Sequence, residues 1–149
     1  MKILIRAQTL LIAAVLSGYR AHISQSDDEQ AIRTALATFY DGWNTHDADK
    51  MVSVFAEDID RIDVFGEWHK RRADIREDLA YIHAGPLLNS QKKFVIEKIR
   101  FLGPEAAVVQ VSSQSVVQNL GTYILQKQKG AWLVVSFTNT EPRTPPYKK

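Results

Sequence analysis

Cysteine is absent from this chain of 149 residues, which excludes a disulfide framework, a thiol nucleophile and a thiolate metal site. That absence is neutral about compartment, because exported proteins can lack disulfides and cytosolic ones can lack thiols. Glycine is scarce, at 7 residues, and nowhere gathers into a phosphate-cradling loop, so no nucleotide cofactor is expected. His22, His46, His69 and His83 show no metal-ligand spacing, so no metal is expected either. No sign of charge dominates, with 19 basic residues against 17 acidic ones. A near-neutral domain lacks the long-range field that holds polyanions, which argues against nucleic-acid binding. There is no internal repeat and no linker that would mark a second domain.

The longest apolar run, Leu10 to Leu16, is too short to span a bilayer. It follows Lys2 and Arg6 and precedes the small residues Ser17 and Gly18. A basic start, a short apolar stretch and small residues after it describe a secretory signal peptide, assigned to residues 1–21. Export to the periplasm or the exterior is the expectation, with no stable membrane insertion once the leader is removed. Losing Lys2 and Arg6 also takes the formal charge of +2 to near zero.

The remainder is ordinary for one globular domain, with 45% hydrophobic and 24% charged residues. Ser26-Asp27-Asp28-Glu29 has the pattern of a capping box. Behind it Ile32, Ala35, Leu36, Phe39, Tyr40 and Trp43 recur at helical spacing, which predicts a helix to about Asn44. Asp47 caps a second helix with Met51, Val54 and Phe55 on its buried face, and a strand then runs from about Asp58 to Phe65. A third helix is expected over 73–84, stopped by Gly85-Pro86. Strands follow over Lys93–Phe101, Ala106–Gln118, Thr122–Gln128 and Trp132–Thr140, paired as antiparallel hairpins. The proline-bearing tail, 141–149, reads as disordered. Helices first, strands later and no βαβ alternation give an α+β class.

Particular residues carry a resemblance beyond the class. Trp43-Asn44, Asp47, Phe55-Ala56, Asp58, Asp63, Gly66 and Ile75 resemble the steroid isomerase branch of the SnoaL-like, nuclear transport factor 2-like superfamily. Gly130-Ala131-Trp132 through Phe137-Thr138-Asn139-Thr140 is similar to the closing strand of its SgcJ/EcaC-type group. The resemblance implies a cone: a curved, mostly antiparallel sheet wrapped around N-terminal helices, spanning 26–140, with an internal pocket. It implies no single function, since isomerases, dehydratases, hydrolases, cyclases and binding domains share the fold. Asp63 falls where the isomerases keep their general base. Phe39 and Thr122 stand where those enzymes keep their oxyanion donors, so steroid isomerisation is not expected.

Strand alternation puts Arg61, Asp63 and Phe65 on one face. A guanidinium beside Asp63 favours ligand binding or charge stabilisation over proton abstraction, and a structural Asp–Arg pair is the alternative. Phe39 and Trp43 are candidates for both core and pocket wall. Asn139 shares parity with Leu133, Val135 and Phe137 and should point inward, while Ser113 and Ser115 share parity with Val109 and Val111. Lys70-Arg71-Arg72 precedes the third helix as a solvated tip or an anion site. The expected occupant is a small, largely apolar molecule. The open alternatives are a cofactor-independent lyase, isomerase or hydrolase using Asp63, and an association domain. A homodimer is expected through the uncharged outer face of Ala106, Val108, Gln110, Ser112 and Gln114.

Overall fold

The computed structural model describes residues 25–115 and 117–143. The stretch expected to be a signal peptide, 1–21, and residues 144–149 of the tail lie outside the described residues. Helix α1, 25–45, buries Ile32, Leu36, Phe39, Tyr40 and Trp43, the stripe that its spacing predicts. Its start differs from the capping-box reading, because Gln25 and Ser26 are already helical. Glu29 ion-pairs with Arg33 instead of reaching back to Ser26. Asp28 accepts hydrogen bonds from Lys127 Nζ at 2.6 Å and Trp132 Nε1 at 2.9 Å, tying the helix to the sheet. Burial pushes the Asp28 carboxyl up, and those two donors outweigh it, leaving its pKa lowered.

The other end of α1 closes as a Schellman motif, with Asp47 N–H donating to the Gly42 carbonyl and His46 N–H to that of Trp43. His46 takes the left-handed position, φ 56°, usually given to glycine. Asp47 then caps α2, Ala48–Val52, its carboxylate accepting from Lys50 N–H at 2.9 Å. Gly42 lets the two helices touch, since a Cβ there would lie 2.7 Å from the Met51 nitrogen. Helix α2 ends at Val52, so Phe55, expected on the buried face of that helix, and the residues up to Asp58 belong to the next strand.

Strand β1, Phe55–Ile62, is followed by β2, Trp68–His69, and by helix α3, Arg72–Ala84. Strands β3, Lys93–Gly103, β4, Ala106–Gln114, β5, Gln118–Gln128, and β6, Ala131–Thr140, complete one sheet in the order β2-β1-β6-β5-β4-β3. The pairs β3–β4, β4–β5 and β5–β6 are antiparallel, while β1 runs parallel to β6. Strand β4 ends at Gln114 and β5 begins at Gln118, so Asn119–Gly121, expected as the turn between them, are strand. Register shifts in β1, β3 and the β5–β6 pair bend this open sheet over α1. The core lies between them: Ala107, Val109, Val111, Tyr123, Leu125 and Val134 face inward and are fully buried.

Candidate functional site

The concave side of the sheet, α1, α3 and the 85–92 loop enclose a cavity of about 630 Å³. Its apolar wall includes Phe39, Leu79, Ile82, Leu87 and Phe137, and the exposed side chains of Phe65, Leu88 and Val117 stand at its mouth. Phe39 stacks on Phe55 at 5.5 Å and meets Tyr123 and Phe137 edge-on, so it is core and wall at once. Tyr123 and Phe137 stack at 4.2 Å across β5 and β6. Gly121 makes room for them, because a Cβ would come within 2.9 Å of the Tyr123 ring.

Every residue that the sequence reading assigned to the site lines this cavity, though not always as expected. Arg61 is 8% exposed and donates to Asp78 Oδ2 on α3 at 2.6 Å; it does not pair with Asp63. The reason is that β1 ends at Ile62, which ends the alternation that would have put residues 61, 63 and 65 on one face. Asp63 instead opens the turn into β2. Its Oδ1 accepts from Phe65 N–H at 2.8 Å and Glu67 N–H at 2.9 Å, and its own N–H donates to the Glu67 carbonyl. Phe65 is consequently a rim residue, 85% exposed, and not a strand wall residue.

Ser113 sits in the wall, and Ser115, beyond the end of β4, meets Ser90 Oγ at 3.3 Å. Trp43 donates from Nε1 to that same Ser90 Oγ at 3.2 Å, so it anchors the 85–92 loop. Asn139 does point into the cavity. Leu133 and Val135, however, are on the other parity from the buried Trp132 and Val134, and the irregularity near Val135 returns Phe137 and Asn139 to the inner face.

The sequence reading missed several side chains in the cavity. Tyr40 and Tyr123 meet hydroxyl to hydroxyl at 3.1 Å. Burial pushes both phenols up, Tyr123 well above its ordinary value, so both remain protonated donors. Phe39 and Thr122 stand where the resemblance places oxyanion donors, and these tyrosines stand one residue further along the chain in each case. Lys92 and Asn119 are also part of the lining. The only sequence signal was that Asn119, Gly121 and Tyr123 share parity with Leu125, which a strand starting at Gln118 turns inward.

Just outside the cavity, His46 Nδ1 and His83 Nδ1 are 2.8 Å apart, and His83 stands edge-on to Trp43 at 4.5 Å. Burial first, then His46 and Lys92, lower the His83 pKa to about 4. At the first turn, Asp63, Glu67 and His69 each offer a ligand atom within 4.8 Å of one another, a grouping that linear spacing did not suggest. Those atoms suit a hard divalent cation on the carboxylates and a borderline one with His69 included. The basic run is engaged: Arg71 donates twice to Asp74, Arg72 bonds Glu57 and the Phe55 carbonyl, and Lys70 lies over Trp68.

The model of the SnoaL-like domain matches residues 36–139, most of the chain and all of the cavity-forming strands. The chain belongs to the SnoaL-like domain family. This SnoaL-like domain is similar in structure to a cystatin-like domain of unknown function from Nostoc punctiforme PCC 73102, with a TM-score of 0.75, 21% identity and 79% of each chain covered. It is also similar to an NTF-2 like protein of unknown function from Shewanella oneidensis MR-1, with a TM-score of 0.68 and 16% identity over 76% of this chain and 99% of that one. A ketosteroid isomerase-like protein from Erwinia carotovora atroseptica gives a TM-score of 0.66 at 10% identity, over 77% and 96% of the two chains. No curated protein matches the sequence. At these identities the likeness of structure concerns the fold, the α+β cone that the family resemblance implied.

Proposed function

We propose that the protein is an exported SnoaL-like domain that binds a small, largely apolar molecule in its cone cavity. One observation carries the reading: a cavity of about 630 Å³ with a continuous aromatic and aliphatic wall and a few convergent hydroxyls and amides. Its size falls within the range of about 300–1,000 Å³ usual for ligand pockets. The leader behind Lys2 and Arg6 supports export, and the Gly130–Thr140 strand supports the SgcJ/EcaC-type group within the family. Catalysis by Asp63 has less support, because its Oδ1 is held by two backbone amides.

Thermal unfolding against a screen of apolar ketones and acids tests the binding reading. A ligand at about 100 times its Kd should add ~2.7 kcal/mol of stability. Asn139→Trp should fill the cavity and abolish that gain while the protein stays folded. A screen without any stabilising compound, or gains that persist in Asn139→Trp, counts against the cavity.

For self-association we propose a homodimer through the outer sheet face. Ala106, Val108, Gln110 and Ser112 are partly exposed there and Gln114 fully, beside Leu120 and Ile124 of β5. Sedimentation at micromolar concentration should show a dimer, and Val108→Lys should return it to a monomer. A wild-type monomer would remove this interface.

A further inference from the structure

Among the described residues, five charged side chains line the cavity: Arg61, Asp63, Asp78, Lys92 and Glu141. Four have a partner. Arg61 and Asp78 pair at 2.6 Å, Glu141 faces Arg143 at 3.5 Å, and Asp63 holds two backbone amides. The Lys92 ammonium has neither a carboxylate nor a hydrogen-bond acceptor among the described residues. It lies over the face of Trp43, with Nζ 3.8 Å from the ring centroid. A cation–π contact offsets part of the cost of removing an ammonium from water and leaves its hydrogen-bond donors unused.

The position of Lys92 is secured by other residues. Asn44, on the last turn of α1, accepts from the Lys92 backbone N–H at 2.7 Å and donates to its carbonyl at 2.9 Å. Gln91 adds a bond to the Asn44 carbonyl at 3.1 Å. The chain therefore holds this lysine against a tryptophan in a largely apolar cavity, with no described residue pairing its charge.

We propose that the cavity selects an amphipathic ligand with a single carboxylate, and that this carboxylate docks on the Lys92 ammonium while the apolar body lies against Phe39, Leu79 and Phe137. The inference rests on the cavity being a binding site and specifies the chemistry of its occupant. Burial and the neighbouring Arg61 charge lower the Lys92 pKa to about 8, so the anchor is present at neutral pH and is lost in mild alkali. The other ionisable groups of the cavity lining are Tyr40 on α1, Arg61 on β1, Asp78 on α3, Tyr123 on β5, Asp63 after β1 and Glu141 after β6, with His83 of α3 just outside it. Arg61 favours an incoming anion, and the three acids oppose a second one, which is why one carboxylate is specified.

A matched series tests this: 4-phenylbutyrate, 4-phenylbutan-1-ol and 4-phenylbutylamine, titrated calorimetrically into the full chain and followed by tryptophan fluorescence. The acid should bind at least tenfold more tightly than the alcohol at pH 7, and the amine more weakly than either. The advantage of the acid should shrink as pH rises through about 8. Lys92→Met should abolish the preference, so that acid and alcohol bind the variant alike, with a melting temperature at or above that of wild type, because it removes a partly buried charge that has no acceptor among the described residues. The pH series on wild type needs no variant and guards against a folding defect in Lys92→Met. Equal binding of acid and alcohol, or an acid preference that survives in Lys92→Met, overturns the role of Lys92 and leaves the cavity reading standing. Failure of all three compounds to bind overturns both.

Discussion

Asp78→Ala should destabilise the protein by about 3 kcal/mol, whereas Asp63→Asn should cost less than about 1 kcal/mol. The contrast follows from where Arg61 finds its partner. Its guanidinium is buried and donates to Asp78 at 2.6 Å, so removal of that carboxylate strands a charge that water reaches poorly. At position 63 the essential group is Oδ1, which accepts two backbone N–H bonds, and an asparagine oxygen can accept both. Urea unfolding of the two variants measures the difference. A double variant, Arg61→Met with Asp78→Leu, should recover much of the loss, since it removes both charges together. Equal destabilisation by Asp63→Asn and Asp78→Ala would show that Arg61 relies on the turn carboxylate after all.

Acid should weaken the fold through His83. Its folded pKa, about 4, lies below the ordinary 6.5. Between those values the unfolded chain binds a proton that the folded protein refuses, so stability falls as pH drops from about 6.5 through about 4. Over the whole window the loss amounts to roughly 3 kcal/mol, and above pH 6.5 His83 contributes no slope. The groups that oppose its protonation, after burial itself, are His46 and Lys92. His83→Leu should remove this part of the acid sensitivity, and carboxylates common to both proteins cancel when the two stability curves are subtracted. A difference curve that is flat from pH 4 to 6.5 would show that His83 charges freely in the folded state.

Local patterns carried the fold a long way. The stripe from Ile32 to Trp43, the Asp47 cap and the Gly130 turn are each written in a few adjacent residues, and each appears where it was read. Places where the reading slipped involve a change of rule along the chain. Phe55 and Ala56 are consecutive buried residues at the start of a strand, and such a pair looks like the end of a helix. Strand alternation was carried through Asp63 although the strand stops one residue earlier. In β6 the inward position of Asn139 was right, yet Leu133 and Val135 did not support it, because an irregularity changes parity between Val134 and Phe137. The site's charges were illegible for a different reason. Lys92, Trp43, Asn44 and Arg61 lie on three separate elements, and only the closing of the sheet over α1 brings them together. The first lysine of a Lys92-Lys93 pair at the start of a strand carries no mark of that.

Strand β3 lies at one margin of the sheet and is 11 residues long, a length that would ordinarily template fibril growth by backbone pairing. Its register against β4 breaks twice, and Lys93, Glu97, Lys98 and Arg100 project from it. At the opposite margin β2 offers only Trp68 and His69. Both flanks are therefore poor seeds for an added strand. Straightening β3 by removing its irregularities, or exchanging Lys98 and Arg100 for valine, should make the protein polymerise on concentration.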